Sequence, residues 1–101
     1  MVVKWSWNLS KDESNKNKHG LSLRDGVAVL DNDRHITLEL DERHYENRLR
    51  SIGSSDGGAT ILYIVYTVQE AENSDEEDYG QIISVRKATK DECEKYQNNI
   101  A

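Results

Sequence analysis

The pattern of apolar and polar residues divides the chain into a helical first third and a longer region of strands. Leu23, Val27 and Leu30 recur at helical spacing and form one apolar stripe. The period changes at residue 36, because residues 36–40 alternate between apolar and polar side chains as a strand with one buried face does. The chain therefore combines amphipathic helices with strands.

The segment before this apolar stripe is polar and contains a signal for the start of a helix. Ser10-x-x-Glu13 is a capping-box pattern, in which the hydroxyl accepts from an early helical amide and the glutamate reaches back. It predicts a short helix over about residues 11–18, ending at Gly20. Ser22 would then open a second helix over residues 23–30, so the sequence predicts two short N-terminal helices.

Three further segments are predicted as strands. Residues 45–54 form one with weak alternation, and residues 54–58 (SSDGG) follow as a glycine turn. Residues 60–68 are apolar at odd and even positions, which is typical of a central strand covered on both faces. Residues 81–86 form the last strand, so an antiparallel sheet of about four strands is expected.

The C-terminal segment is predicted as a helix. Thr89-x-x-Glu92 is a second capping box, and Cys93, Tyr96 and Ile100 would lie on one side of the helix that it opens. The fold class is therefore α+β: two short N-terminal helices, an antiparallel sheet and a C-terminal helix.

Length and composition indicate one small domain, residues 1–101, without internal repeats. Hydrophobic residues make up 36% of the chain and Phe is absent, so Trp5, Trp7 and five Tyr must supply the aromatic bulk of a thin core. The longest apolar run, residues 61–66, is far shorter than the ~20 residues of a membrane helix. A single cysteine, Cys93, fits a reducing compartment. We expect a cytoplasmic protein without membrane association.

The net charge of −6 is concentrated in one segment. Residues 70–78 (EAENSDEED) hold six carboxylates and no base, so the rest of the chain is close to neutral. An acidic chain argues against general affinity for nucleic acid, but charge confined to one segment weakens that objection. We expect residues 70–78 to form a solvated loop.

Three blocks of residues in a fixed order carry a family resemblance. The first is Trp5-x-Trp7-Asn8 with Lys11, Asn15 and Lys18-His19-Gly20-Leu21-Ser22; the second is Arg48 followed by Ile52-Gly53; the third is residues 82–89 (IISVRKAT) with Glu92 and Tyr96 beyond. Together they resemble the BrnT family of toxins, which share a compact RelE-like ribonuclease fold. The resemblance spans nearly the whole chain.

The resemblance implies a function and its partners. It implies an endoribonuclease toxin of a bacterial toxin–antitoxin pair, cleaving RNA without a metal ion or cofactor. It also implies neutralisation by a small ribbon-helix-helix antitoxin of the BrnA type, which binds DNA, so that the toxin would meet DNA only indirectly through the antitoxin.

The residues themselves offer a chemistry for RNA cleavage. RNA supplies its own nucleophile, the ribose 2′-hydroxyl, so the enzyme needs a base, an acid and cations that face the growing phosphorane charge. His19 is the candidate base or acid, because imidazole titrates near physiological pH. Arg48 and Arg86 are the candidate phosphate ligands and complete the predicted catalytic set. The predicted RNA-binding residues are Lys11, Lys18 and Lys87.

Each candidate also has a structural interpretation. His19 at a helix end can bond terminal carbonyls, Arg86 can pair with Glu92, and Arg48 can simply be solvated. The lysines can be ordinary surface charges. The three histidines, His19, His35 and His44, lack the spacing of metal ligands, so no metal site is expected.

A second functional interpretation follows from departures from the family pattern. Many relatives carry Arg at the position of Gln81 and another basic residue near Gln69, whereas here an acidic segment follows Gln69. The alternative is therefore a catalytically weakened or inactive interaction protein on the same scaffold, which binds an antitoxin or another basic partner.

Overall fold

A computed structural model describes residues 3–31, 35–41, 48–73 and 75–100. The helices and strands in these ranges are, in chain order, β1 Val3–Ser6, α1 Leu9–His19, α2 Asp25–Leu30, β2 Ile36–Asp41, β3 Arg48–Gly53, β4 Leu62–Gln69, β5 Asp78–Lys87 and α3 Lys90–Ile100. The strands form a single sheet with the order β1-β5-β4-β3-β2. β1 runs parallel to β5 and the other neighbours are antiparallel, so the sheet is mixed.

The predicted α+β class and the C-terminal helix are confirmed, but the prediction of about four antiparallel strands is wrong. The strand that the prediction missed is β1, which precedes α1, so the two short helices do not begin the chain. Val3 and Trp5 are half-buried and alternate with exposed Lys4 and Ser6. This short period-two pattern is the signal for β1, and it pairs with β5 because that strand extends back to Asp78, three residues before its predicted start.

The two faces of the sheet carry separate apolar clusters. The face toward α2, called the α2 face, holds Leu23, Val29, Leu30, Leu62, Ile64, Tyr66, Ile82 and Val85. The face toward α3, called the α3 face, holds Ile52, Ile61, Tyr63 and Tyr96, with Ile36, Leu38, Val65, Ala88 and Cys93 packed beside them. The central position predicted for residues 60–68 is confirmed, because β4 contributes side chains to both clusters.

A bulge in β5 decides which side chains of that strand reach the α3 face. Val65 pairs with Ser84 but the next residue, Tyr66, pairs with Ile82, so β5 contains one extra residue at this point. Ile82 and Val85 therefore both enter the cluster on the α2 face, although they are three positions apart and would lie on opposite faces of a regular strand. Arg86, which is opposite Tyr63 in the register, lies on the α3 face as a result.

The predicted end of α1 at Gly20 is confirmed, but its predicted N-cap is wrong. The Ser10–Glu13 capping box is wrong: Asn8 is the N-cap of α1, and its side chain accepts from the Lys11 amide at 3.1 Å. Gly20 does end α1, with φ of 69°, a left-handed conformation that suits glycine. Ser22 accepts from the Arg24 amide at 3.3 Å ahead of α2, which begins at Asp25 after one tight turn.

The capping box of α3 is confirmed. The Glu92 amide donates to Thr89 Oγ1 at 3.3 Å, and the Thr89 amide donates to Glu92 Oε1 at 2.8 Å. Tyr96 is buried and Cys93 half-buried against the α3 cluster, as predicted. The side chain of Ile100 lies outside the described residues.

The acidic segment connects β4 to β5, as expected of a loop, except that its last residue belongs to the sheet. Asp78 is buried at the start of β5 and accepts from the Ala71 amide at 2.9 Å. Ser74, like residues 45–47 of the second predicted strand, lies outside the described residues. None of the helices in the described ranges has the length and apolar character needed to cross a membrane.

Candidate active site

Two arginine side chains contact the same tyrosine on the α3 face. The guanidinium carbon of Arg86 lies 3.9 Å from the centre of the Tyr63 ring. Arg50 Nη1 donates to Tyr63 Oη at 3.3 Å. Tyr63 is only 8% exposed, so its ring is a fixed support between the two cations. We call Arg50, Tyr63, Arg86 and Glu92 the arginine–tyrosine cluster.

Glu92 completes this cluster by binding Arg86 through two parallel hydrogen bonds. Arg86 Nη1 donates to Glu92 Oε1 at 2.8 Å, and Nη2 donates to Oε2 at 3.0 Å. The hydrogen bonds from Arg86 hold the pKa of the Glu92 carboxyl below its usual value, against an opposing effect of burial. Hydrogen bonding to Glu92 likewise raises the pKa of Arg86. Both groups are therefore charged at neutral pH, and the pairing proposed as a structural alternative for Arg86 is present.

A cleft of about 400 Å³ opens beside the cluster. Its lining residues come from β2, β3, β4 and α3 and are Leu38, Arg50, Ile52, Tyr63, Glu92 and Lys95. The side chain of Arg86 is 33% exposed, so solvent reaches the guanidinium. The lining thus combines the apolar side chains of Leu38 and Ile52 with the cations Arg50 and Lys95 and the carboxylate of Glu92.

Sequence reasoning did not single out Arg50, Tyr63 or Lys95. Arg50 follows the predicted Arg48 by two residues in β3, so both arginines fall on the same face, and this spacing was the available signal. Tyr63 sits in a run that is apolar at every position, where nothing distinguishes an aromatic support from core packing. Lys95 shares the cleft only because α3 packs on β3 and β2.

Arg48 is the first residue of β3. The alternation of that strand places it on the α3 face, beyond Arg50 and away from Ile52. Its Nε is buried, and none of the described residues accepts a hydrogen bond from it. A desolvated donor without such a partner is energetically unfavourable.

His19 lies apart from these arginines. It is the last residue of α1 and is exposed, and α1 packs along β5. Among the contacts within the described ranges, none joins His19 to Arg48 or Arg86. His19 lies in the last turn of α1, next to the negative end of the helix dipole.

The three predicted RNA-binding lysines are exposed. Lys11 and Lys18 lie on α1, and Lys87 lies at the end of β5 next to Arg86. Strand alternation directs Lys87 to the face opposite that of Arg86. The structure thus brings Arg86 together with Arg50 and places Arg48 on the same face, whereas His19 and the lysines on α1 belong to a different element.

No group of three or more His, Cys, Asp or Glu side chains within the described residues is placed to hold a metal ion. His44 lies outside those residues. The expectation that this chain uses no metal stays a prediction.

These features define a class of protein: a small α+β domain with a mixed five-stranded sheet and, on one face of that sheet, a cleft lined in part by Arg50 and Lys95. Comparison with known families narrows the class. The model of the family described as "Ribonuclease toxin, BrnT, of type II toxin-antitoxin system" matches residues 7–92, and the chain belongs to this family. The resemblance found in the sequence is thereby confirmed. No curated protein matches the chain significantly.

Proposed function

We propose that this chain is an endoribonuclease toxin that acts in the cytoplasm and cleaves RNA without a metal ion, with Arg86 binding the scissile phosphate. The observation that carries the proposal is that Arg86 and Arg50 both contact Tyr63 beside an open cleft. Family membership supports the reaction class, and the fixed positive charge of the cluster supports the choice of Arg86 as the ligand of the phosphorane oxygens.

The reaction is a transesterification within the substrate. The 2′-oxygen forms a bond to phosphorus as its proton passes to a base, and the bond between phosphorus and the 5′-oxygen breaks as that oxygen gains a proton from an acid. Negative charge builds on the two non-bridging oxygens between these events. Guanidinium groups held in place before the reaction stabilise this charge without reorganising.

The remaining roles follow the sequence prediction. We propose His19 as the group that transfers protons, Arg48 as a second phosphate ligand, and Lys11, Lys18 and Lys87 as contacts to the RNA backbone. A base or acid must reach the 2′-hydroxyl or the 5′-oxygen of the same phosphodiester that Arg86 binds. Since α1 packs along β5 rather than over the cluster, this role requires His19 to come within hydrogen-bond reach of that phosphodiester when RNA is bound.

The partner implied by the family is an antitoxin. We propose that it is a small ribbon-helix-helix protein of the BrnA type, and that DNA is bound only through it. We further propose that the fold is of the RelE-like type. Reading the frame adjacent to the gene and co-purifying its product with this chain tests the identity of the partner.

The experiment that tests the proposed activity compares the natural chain with Arg86→Ala on a set of RNAs in excess chelator. Cleavage by the natural chain and its loss in Arg86→Ala are expected. Arg24→Ala is the matched control, since Arg24 is exposed at the start of α2. This variant should cleave RNA at the natural rate. A folded natural chain that leaves every RNA intact would refute the enzyme proposal.

The second candidate is an interaction protein that has lost most of its catalytic power. It is favoured by the paired state of Arg86, whose two terminal nitrogens already bind Glu92. This candidate predicts that the chain binds the antitoxin but cleaves RNA no faster than Arg86→Ala does. Measurement of both properties on the same preparation separates the two candidates.

A further inference from the structure

The hydrogen bonds of Arg86 leave one edge of its guanidinium without a partner among the described residues. Glu92 accepts from Nη1 and Nη2, and the Lys87 carbonyl accepts a second Nη1 proton at 3.2 Å. A guanidinium has five N–H donors. The donors left over are Nε–H and the second proton of Nη2, which lie side by side on the edge adjacent to the one that Glu92 binds, and no described residue accepts from either.

Glu92 is itself fixed by the start of α3. Its carboxylate accepts from the Thr89 amide at 2.8 Å while its own amide donates to Thr89 Oγ1. The Glu92 side chain is 21% exposed, so displacing it would open a capped helix end as well as an ion pair. The carboxylate therefore behaves as part of the scaffold and not as a loose counter-ion.

Tyr63 restricts the orientation of the Arg86 guanidinium plane. Its ring lies 3.9 Å beneath the guanidinium carbon, which restricts tilting of the guanidinium plane. Arg50 donates to the hydroxyl of the same ring and holds a second positive charge nearby. Together these contacts orient Arg86 before any ligand arrives.

From this arrangement we propose that Glu92 and Tyr63 are positioning residues, which hold Arg86 so that its free edge binds an RNA phosphodiester while the Glu92 pair stays closed. Two parallel N–H donors on a planar group match two phosphate oxygens. The inference rests on the proposed function for its ligand. It differs from a model in which Glu92 occupies the phosphate site and has to leave.

Glu92→Gln distinguishes positioning from blocking. Glutamine retains one acceptor but replaces the other with a donor, so it cannot hold both terminal nitrogens of Arg86. We expect kcat to fall roughly 10- to 100-fold with little change in KM, because displacement of a reacting group by about 1 Å costs on that order. If Glu92 blocks the site, the same variant binds RNA more tightly and its KM falls, which overturns the proposal.

Two controls separate this effect from loss of charge or fold. Glu94→Gln removes the same charge from an exposed position of α3 and should leave kcat and KM unchanged. Tyr63→Phe keeps the ring under Arg86, whereas Tyr63→Leu removes it. We expect Tyr63→Leu to lose more in kcat than Tyr63→Phe, and equal losses would overturn the role given to the ring.

A binding measurement makes the test independent of activity. The probe is a short RNA with every ribose 2′-O-methylated, which cannot be cleaved, titrated into the natural chain while side-chain resonances are followed by NMR. We expect the chemical shift of the Arg86 Nε–Hε signal to change and that of the Glu92 carboxyl carbon to stay the same. A shifted Glu92 signal, or bound RNA with an unmoved Arg86 signal, overturns the proposal. A shifted Arg86 signal in a chain that cleaves no RNA supports it while refuting the proposed activity.

Discussion

The side chain of Asn15 pairs with the backbone of Val85 as a neighbouring strand would. Asn15 Nδ2 donates to the Val85 carbonyl at 2.8 Å, and the Val85 amide donates to Asn15 Oδ1 at 3.1 Å. Strand β1 pairs with β5 only as far as Gln81, so a helix side chain supplies the missing partner farther along. Asn15 thereby fixes α1 to the sheet one residue before Arg86.

Replacing Asn15 with Ala should destabilise the protein by about 1–3 kcal/mol, because it leaves buried backbone groups of Val85 without partners. Nδ2 also donates to the Leu21 carbonyl at 2.8 Å, so the loop before α2 loses a contact too. Urea unfolding measures the change. Asn17→Ala on the exposed side of α1 is the control and should unfold at the natural midpoint; equal midpoints for the two variants would refute the role of Asn15.

Asp12 predicts a pH dependence of stability. Its carboxylate accepts from the Leu23 amide at 2.8 Å and from Ser22 Oγ at 3.0 Å, and these bonds, the Leu23 amide first, hold the pKa of Asp12 below its usual value of 3.8. A depressed folded pKa stabilises the folded state above the unfolded pKa, and this contribution is lost as the pH falls through the folded pKa.

The test is the difference in free energy of unfolding between the natural chain and Asp12→Asn as a function of pH. The natural chain should be the more stable near neutral pH, and the difference should shrink below pH 3.8, where the carboxyl gains a proton in both states. A difference that stays constant down to that range would show that the charge of Asp12 is not what stabilises the link between α1 and α2.

The sequence sufficed to predict those elements whose signals are local. The Thr89–Glu92 capping box and the glycine after α1 act within one helical turn, and both are confirmed. The N-cap of α1 is Asn8 and not Ser10, and local signals could not distinguish them because both residue types cap helices well. The position at which α1 begins depends on where the chain leaves β1.

The candidate site depends on non-local information. The extra residue in β5 puts Arg86 on the α3 face. No sequence pattern predicted a bulge between Ile82 and Val85. The Arg86–Glu92 pair was anticipated because the two residues are close in sequence. The contact with Tyr63 required the register of β4 against β5, which depends on tertiary packing.

Gly80 is required where β5 pairs with β1, opposite Trp5. A Cβ at this position would overlap the ring of Trp5 and approach Val3 Cγ1 to 2.9 Å. The Trp5 ring cannot easily retreat, since it packs edge-on against Tyr66 with centroids 5.6 Å apart and its Nε1 donates to Asp31 at 3.0 Å. Gly80→Ala should therefore cost about 1–3 kcal/mol of stability.

A double-mutant cycle tests this explanation. In the background of Trp5→Leu, which removes the ring, Gly80→Ala should cost clearly less than in the natural chain, because neighbouring substitutions that share a contact are not additive. Urea unfolding followed by circular dichroism gives all four stabilities. The same penalty in both backgrounds would mean that the contact with Val3 Cγ1, and not the Trp5 ring, excludes a Cβ at this position.

Arg86→Lys separates the charge of Arg86 from its shape. Lysine keeps the positive charge on this strand but offers a single ammonium, which cannot donate in parallel to Glu92 and to a phosphate while lying flat on Tyr63. We expect kcat/KM for RNA to fall on the order of 100-fold, as when one oriented donor is removed from a transition-state site. Binding of a 2′-O-methylated RNA should weaken far less, because charge dominates the ground-state affinity. Arg24→Lys makes the same exchange at an exposed position and should retain full activity. If Arg86→Lys cleaves as fast as the natural chain, a point charge suffices and the planar geometry of the guanidinium does not contribute.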